Sequence, residues 1–130
     1  MMANREPLVE DGEGPMPIQT AFDVFFRLAD AWGLNTDEQI RLLGSPGRST
    51  FFKWKKEVSS APRDTLERLS YIFGIYKALE ILLPNPESAN SWIKRPNRYF
   101  GERSALDVMM GGQVVDLFKV REYVDAQRGG

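Results

Sequence analysis

The chain has 130 residues, room for one or two small domains, and 42% of them are hydrophobic, with eight Phe and three Trp to build a core. The net charge is −1, so a nucleic-acid surface has to be a local patch rather than a property of the whole chain. Cys and His are both absent, which removes disulfides, Cys-ligated zinc, a thiol nucleophile, and the commonest general base and metal ligand. No clustered carboxylates remain for acid–base work. The chain therefore reads as a non-enzyme with no catalytic, metal or cofactor-binding residues.

Residues 1–17 hold three Pro, two Gly and four acids with little to bury, and are expected to form a disordered or loosely held leader. There is no apolar signal core and no run approaching the ~18 apolar residues of a membrane span, so a cytoplasmic protein with no membrane partner is expected. Residues 18–32 are helical by period: Ile18, Ala21, Phe22, Phe25, Leu28, Ala29 and Trp32 recur at steps of three and four. Val24 and Phe26 widen that stripe. The extra aromatics either complete the core or meet a second subunit.

Residues 36–56 read as helix, tight turn, helix. Thr36 is the expected cap of the first helix, with Gln39 closing a capping box. Gly44, Ser45, Pro46 and Gly47 end that helix, since Gly permits φ > 0 and Pro cannot continue the ladder. The second helix, from Arg48 or Ser49 to Lys56, carries Arg48, Ser49, Thr50, Lys53, Lys55 and Lys56. With Arg63 nearby and Glu57 the sole acid, this is the basic patch of the chain. Phe51 and Trp54 share one face and are expected in the core; Phe52 falls off it. Two short helices with a Gly-containing turn, the second one basic, match a helix-turn-helix whose second helix enters the major groove. Hydroxyls and amines at its start can bond bases or phosphates. An ordinary helical hairpin with a solvated basic face fits the same pattern.

Residues 57–61 are a turn, and Pro62 suits a first helical position. A helix follows with Leu66, Leu69, Ile72 and Phe73 inward. Gly74 marks a break or a close approach, and the helix resumes through Ile75, Leu79, Leu82 and Leu83. Residues 18–83 then form one helical domain. Asn85 caps and Pro86 opens a short helix to about Lys94. Arg95, Pro96, Asn97, Arg98, Tyr99, Phe100 and Gly101 form an irregular segment that is either an interface hot spot or a packed connector. Ser104 caps a helix over residues 105–110 closed by Gly111 and Gly112. The last helix covers residues 113–127, with Val114, Leu117, Phe118, Val120 and Val124 as its apolar side.

Two blocks of this sequence carry a resemblance. RLLGSPGRSTFFKWKK followed by RDTLERLSYIFGIYKALEILLPN looks like an Xre-type helix-turn-helix half. SWIKRPNRYFGERSALDVMMGG followed by VREYVDAQRGG looks like a toxin-binding half. The chain thus resembles the Xre/MbcA/ParS antitoxins, partners of toxins with a RES domain. It departs from them at Glu102 and Ala105, where a second Gly and a Pro are usual.

The resemblance implies an all-α fold in two parts, a helix-turn-helix domain over 18–83 and a toxin-binding domain over 84–130. It implies a partner toxin that consumes NAD, blocked when the C-terminal half and tail cover its active-site opening. It also implies binding of operator DNA at the chain's own promoter, homodimerisation and larger toxin–antitoxin complexes. The DNA-binding residues are then Arg48, Ser49, Thr50, Lys53, Lys55 and Lys56. The toxin-binding residues are Trp92, Arg95, Asn97, Arg98, Tyr99, Phe100, Arg103, Arg121, Arg128, Gly129 and Gly130. Two other functions compete: a stand-alone helix-turn-helix regulator whose C-terminal half dimerises or binds a ligand, and an inhibitor whose hairpin no longer binds DNA.

Overall fold

The structure, a computed structural model, describes residues 16–129. The expected leader therefore lies, up to residue 15, outside the described residues, and so does Gly130. Among the described residues there are seven α-helices and one two-stranded hairpin, so the all-α expectation holds.

The first helix, α1 (Ile18–Ala31), buries Ala21, Phe22, Phe25, Leu28 and Ala29, as the three-and-four spacing requires. Gly33, at φ +67, stops it in the left-handed conformation that glycine adopts freely. Helix α2 (Thr36–Leu42) starts differently from the sequence expectation. Its cap is Asn35, whose side chain accepts from Glu38 N at 2.8 Å, while the Glu38 carboxylate accepts from Asn35 N at 2.9 Å. This register puts Asp37 and Glu38 in the first turn, where the unpaired N–H groups favour acids. Gln39, expected to close the box, is instead buried and donates to Leu34 O at 2.9 Å.

Gly44 and Ser45 turn the chain with φ +98 and +59, and α3 (Arg48–Lys56) follows. Phe51 and Trp54 are buried as expected: the Trp54 ring lies 5.0 Å from Phe22, and Phe51 meets Phe26 edge-on at 5.8 Å.

Helix α4 (Arg63–Leu82) is the spine of the molecule. Pro62 caps it rather than opening it, and it runs through Gly74 without a break. It buries Thr65, Arg68, Leu69, Ile72, Phe73, Ile75, Ala78 and Leu79, which leaves it few free sides. Gly74 serves close approach: a methyl group there would overlap the Arg121 guanidinium of the last helix.

Helix α5 (Pro86–Trp92) is capped by Asn85, which accepts from Glu87 N and Ser88 N at 2.8 and 3.1 Å. It ends two residues earlier than expected, because the next segment is not irregular. Strands β1 (Pro96–Asn97) and β2 (Arg103–Ser104) pair antiparallel, Pro96 opposite Ser104 and Asn97 opposite Arg103. Residues 98–102 form the tip, including a 3₁₀ turn (Arg98–Phe100). A capping box between Ser104 and Asp107 starts α6 (Ala105–Met109), and α7 (Val114–Gln127) closes the chain.

Helix α7 lays Leu117, Val120 and Val124 against α4, the most extensive helix pairing in the described chain. Phe118, expected inward, is 41% exposed and edge-on to Tyr71. One step past Leu117 is about 100° round the helix, off the buried stripe. The buried side chains form one continuous cluster from Ala21 to Val124.

Candidate functional site

Two surfaces carry the residues singled out from the sequence. The first is the outer face of α3. With Phe51 and Trp54 facing inward, Arg48, Ser49, Thr50, Lys53, Lys55 and Lys56 are all exposed. Arg48 Nη1 meets Asp37 Oδ1 at 2.9 Å, and its guanidinium lies 5.8 Å from the centre of the exposed Phe52 ring. Both partners of that ion pair are well exposed, so it is worth less than ~1 kcal/mol and exchanges readily for another anion. Lys55 Nζ sits 5.4 Å from the Phe26 ring and 5.9 Å from Phe51. Thr50 and Lys53 line an open cleft with Glu57, Ser59 and Ser60 from the loop after α3.

The second surface is the hairpin tip with the end of α7. Tyr123 is its centre. Trp92 stacks on the Tyr123 ring at 6.2 Å and 13°, Tyr99 lies 4.4 Å away and Phe100 5.3 Å away. Tyr99 is nevertheless 68% exposed. Asn97 positions this ring rather than presenting its own amide, since its Oδ1 accepts from Tyr99 N at 2.8 Å.

Most of the arginines here are engaged within the chain. Arg95 donates to Ser88 O at 3.2 Å and Ser91 Oγ at 3.4 Å, and Arg103 to Asp107 O at 3.1 Å. Arg121 lies over Gly74 and donates to Asp125 Oδ2 at 3.0 Å, with Arg128 Nη1 3.6 Å from the other oxygen. Arg98 is exposed and pairs with no described residue. Gly129 follows the last helical turn at φ +89. Trp92, Tyr99 and Phe100 are thus brought together, while Arg121 sits at the seam of α4 and α7.

Two family models match the chain, one to each part of it. The antitoxin Xre-like helix-turn-helix domain matches residues 19–74, and the antitoxin Xre/MbcA/ParS C-terminal toxin-binding domain matches residues 78–130. The chain belongs to the Xre/MbcA/ParS antitoxin family. It is also 58% identical over 113 residues to a Sinorhizobium fredii protein named only as uncharacterized protein y4oB, covering 87% of this chain and 88% of that one. Neither family domain is described by a reaction; both are binding modules.

The gap between the two matches falls inside α4, so the antitoxin's two halves share a helix. Polar contacts reinforce the seam. Arg41 Nε of α2 donates to Met110 O at 2.6 Å, Arg68 Nη2 of α4 to Gly112 O at 2.9 Å, and Lys94 Nζ to Gly33 O at 2.8 Å. The sequence reading named none of these cations, because a long-range bond to a backbone carbonyl leaves no spacing signal. Tyr123 was also missing from the candidate set. Its signal was present: an aromatic off the Leu117, Val120 and Val124 stripe needs some other partner.

Among the described residues no three His, Cys, Asp or Glu side chains gather to hold a metal, and no helix is long and apolar enough to cross a membrane.

Proposed function

We propose that this antitoxin neutralises a RES-domain toxin by covering the mouth of its NAD-degrading active site, and that it represses its own operon through α3. The observation that carries the reading is the Trp92, Tyr99, Phe100 and Tyr123 cluster. It places an aromatic and arginine-rich tip on the half that matches the toxin-binding domain. Buried-ring anchors with arginine beside them are the usual composition of strong interface contacts. Trp92, Arg95, Arg98, Tyr99, Phe100, Arg103, Arg121, Arg128 and the terminal glycines form the toxin-facing set, with Asn97 setting the tip. Arg48, Ser49, Thr50, Lys53, Lys55 and Lys56 form the DNA-facing set. A homodimer would set two copies of α3 about one DNA turn, ~34 Å, apart, within a larger complex with the toxin. The antitoxin supplies no catalysis of its own.

The test is co-expression with the product of the neighbouring gene. Rescue from toxicity, restored cellular NAD and co-purification are expected. Deletion of residues 92–130 should abolish all three, and undiminished neutralisation by the deleted chain would overturn the reading.

A second reading is an inhibitor whose hairpin no longer binds DNA: the exposed Arg48–Asp37 ion pair engages the first cation of α3 and has to exchange for a phosphate before Arg48 can meet DNA. A wild-type protein that shifts no fragment of its own promoter would establish it.

A further inference from the structure

The hairpin tip holds a residue that folding alone does not explain. Glu102 has φ +69, in the left-handed region that side chains other than glycine's rarely adopt. The turn demands this conformation, since Glu102 N donates to Asn97 O at 3.0 Å and closes the tip. Gly101 beside it, at φ +70, fits without cost. Glu102 recovers nothing locally: its side chain is exposed and pairs with no described residue. Asn or Asp can use such a position through a short side-chain bond to the backbone, whereas glutamate is too long to do so.

Charge singles out the same residue. Between Glu87 and Asp107, Glu102 is the sole acid, set among Lys94, Arg95, Arg98 and Arg103. Three residues before it stands Tyr99, the most exposed of the large apolar side chains, braced from behind by Tyr123. A strained carboxylate and an uncovered ring thus share one short loop.

We propose that Tyr99 and Glu102 act as a pair in toxin recognition, the ring filling a slot at the cleft mouth and the carboxylate meeting a cationic side chain beside it. The inference rests on the antitoxin reading and names its chemistry. A cleft that takes a dinucleotide needs cations for the diphosphate. Glu102, the one acid of the tip, is the group there that can meet such a cation, which leaves the arginines beside it for acidic or carbonyl groups of the toxin. Charge complementarity of this kind also sets which toxin the tip accepts.

The experiment measures binding to the purified neighbouring gene product by calorimetry, with thermal melts of the free antitoxin beside it. Glu102→Gln keeps the backbone strain and removes the charge, so the melting temperature should stay put while affinity falls about tenfold. Glu102→Gly should raise the melting temperature by roughly 2–4 °C and still weaken binding about tenfold. Glu102→Lys and Tyr99→Ala should each cost about a hundredfold. A wild-type complex that tolerates Glu102→Gln and Glu102→Lys unchanged overturns this pairing and leaves the antitoxin reading standing. Failure of the wild type to bind overturns both.

Discussion

The guanidinium of Arg68 donates to the backbone carbonyl of Gly112 at 2.9 Å, across 44 residues of chain. Arg68 is 7% exposed, and its Nε also bonds Asp64 Oδ2 at 2.8 Å. The neighbouring Thr65 hydroxyl donates to Leu43 O at 2.9 Å, just before the turn of the helix-turn-helix. The first turns of α4 therefore hold the turn between α2 and α3 with one residue and the turn before α7 with another. Arg68→Met keeps most of the volume but leaves the Gly112 carbonyl without this donor. It should destabilise the antitoxin by roughly 2–3 kcal/mol, the cost of breaking buried charge-assisted bonds. Denaturant midpoints measure the loss. Hydrogen exchange should rise first at residues 111–114, and a uniform rise over the whole chain would count against a local joint.

Gly74 and Arg121 make a coupled pair across α4 and α7. Alanine in a helix interior is favoured over glycine by ~1 kcal/mol. At Gly74 the new methyl must push the Arg121 guanidinium aside and disturb its 3.0 Å bond to Asp125. The guanidinium is the far end of a flexible chain, so it can move. Gly74→Ala should therefore be close to neutral in the wild type and stabilising by about 1 kcal/mol in an Arg121→Ala background. Urea melts of the four proteins give the coupling directly. Equal effects in both backgrounds would mean that Arg121 does not hold Gly74 at its position.

How much of this was legible in the sequence depends on the range of the interaction. Helix spacing along α1, the Asn85 and Ser104 caps, and the inward face of Phe51 and Trp54 are set by neighbours a few residues away, and reading along the chain recovers them. The cap of α2 was misplaced by one residue because Asn35 and Thr36 are both competent caps; burial of Gln39 decides between them. The hairpin at Pro96 and Ser104 was missed because two-residue strands carry no alternation to read. Composition left the tip segment open between an interface and a packed connector, and the family resemblance made its residues candidates. Their assembly around Tyr123 depends on α7 folding back along α4, a long-range pairing that no local pattern encodes.

Lys53 and Lys55 occupy the same helix and are expected to differ. Lys53 borders the open cleft beside Thr50 and Ser59, while Lys55 leans over the Phe26 and Phe51 rings. If α3 meets DNA, Lys53 is free to neutralise a phosphate. Lys53→Ala should lower promoter affinity about tenfold and reduce the salt slope by about 1, whatever the sequence bound. Lys55→Ala should cost less in affinity and more in stability, through the lost ring contact. Fluorescence anisotropy over a range of salt concentrations separates the two. Identical salt slopes for wild type and Lys53→Ala would remove Lys53 from the DNA surface.

Tyr76 is expected to make the antitoxin's stability fall at alkaline pH. Its hydroxyl pKa is raised above the ordinary value of 10.0, first by burial and then by the negative charge of Glu80. Its ring is half-buried on α4 and lies 6.0 Å from that of Trp32, which is in the core. The unfolded chain releases the Tyr76 proton near pH 10, whereas the native chain keeps it to higher pH. Stability linked to this group is therefore complete below about pH 10 and is lost as the pH rises through the native value. Tyr76→Phe cannot ionise, so its stability should fall less steeply than that of the wild type above about pH 10, with the two much closer at neutral pH. The comparison is a difference between the two proteins, which cancels every group they share. Urea melts followed at neutral pH and again above pH 10 provide it; parallel losses in wild type and Tyr76→Phe would show that Tyr76 does not contribute to the fall.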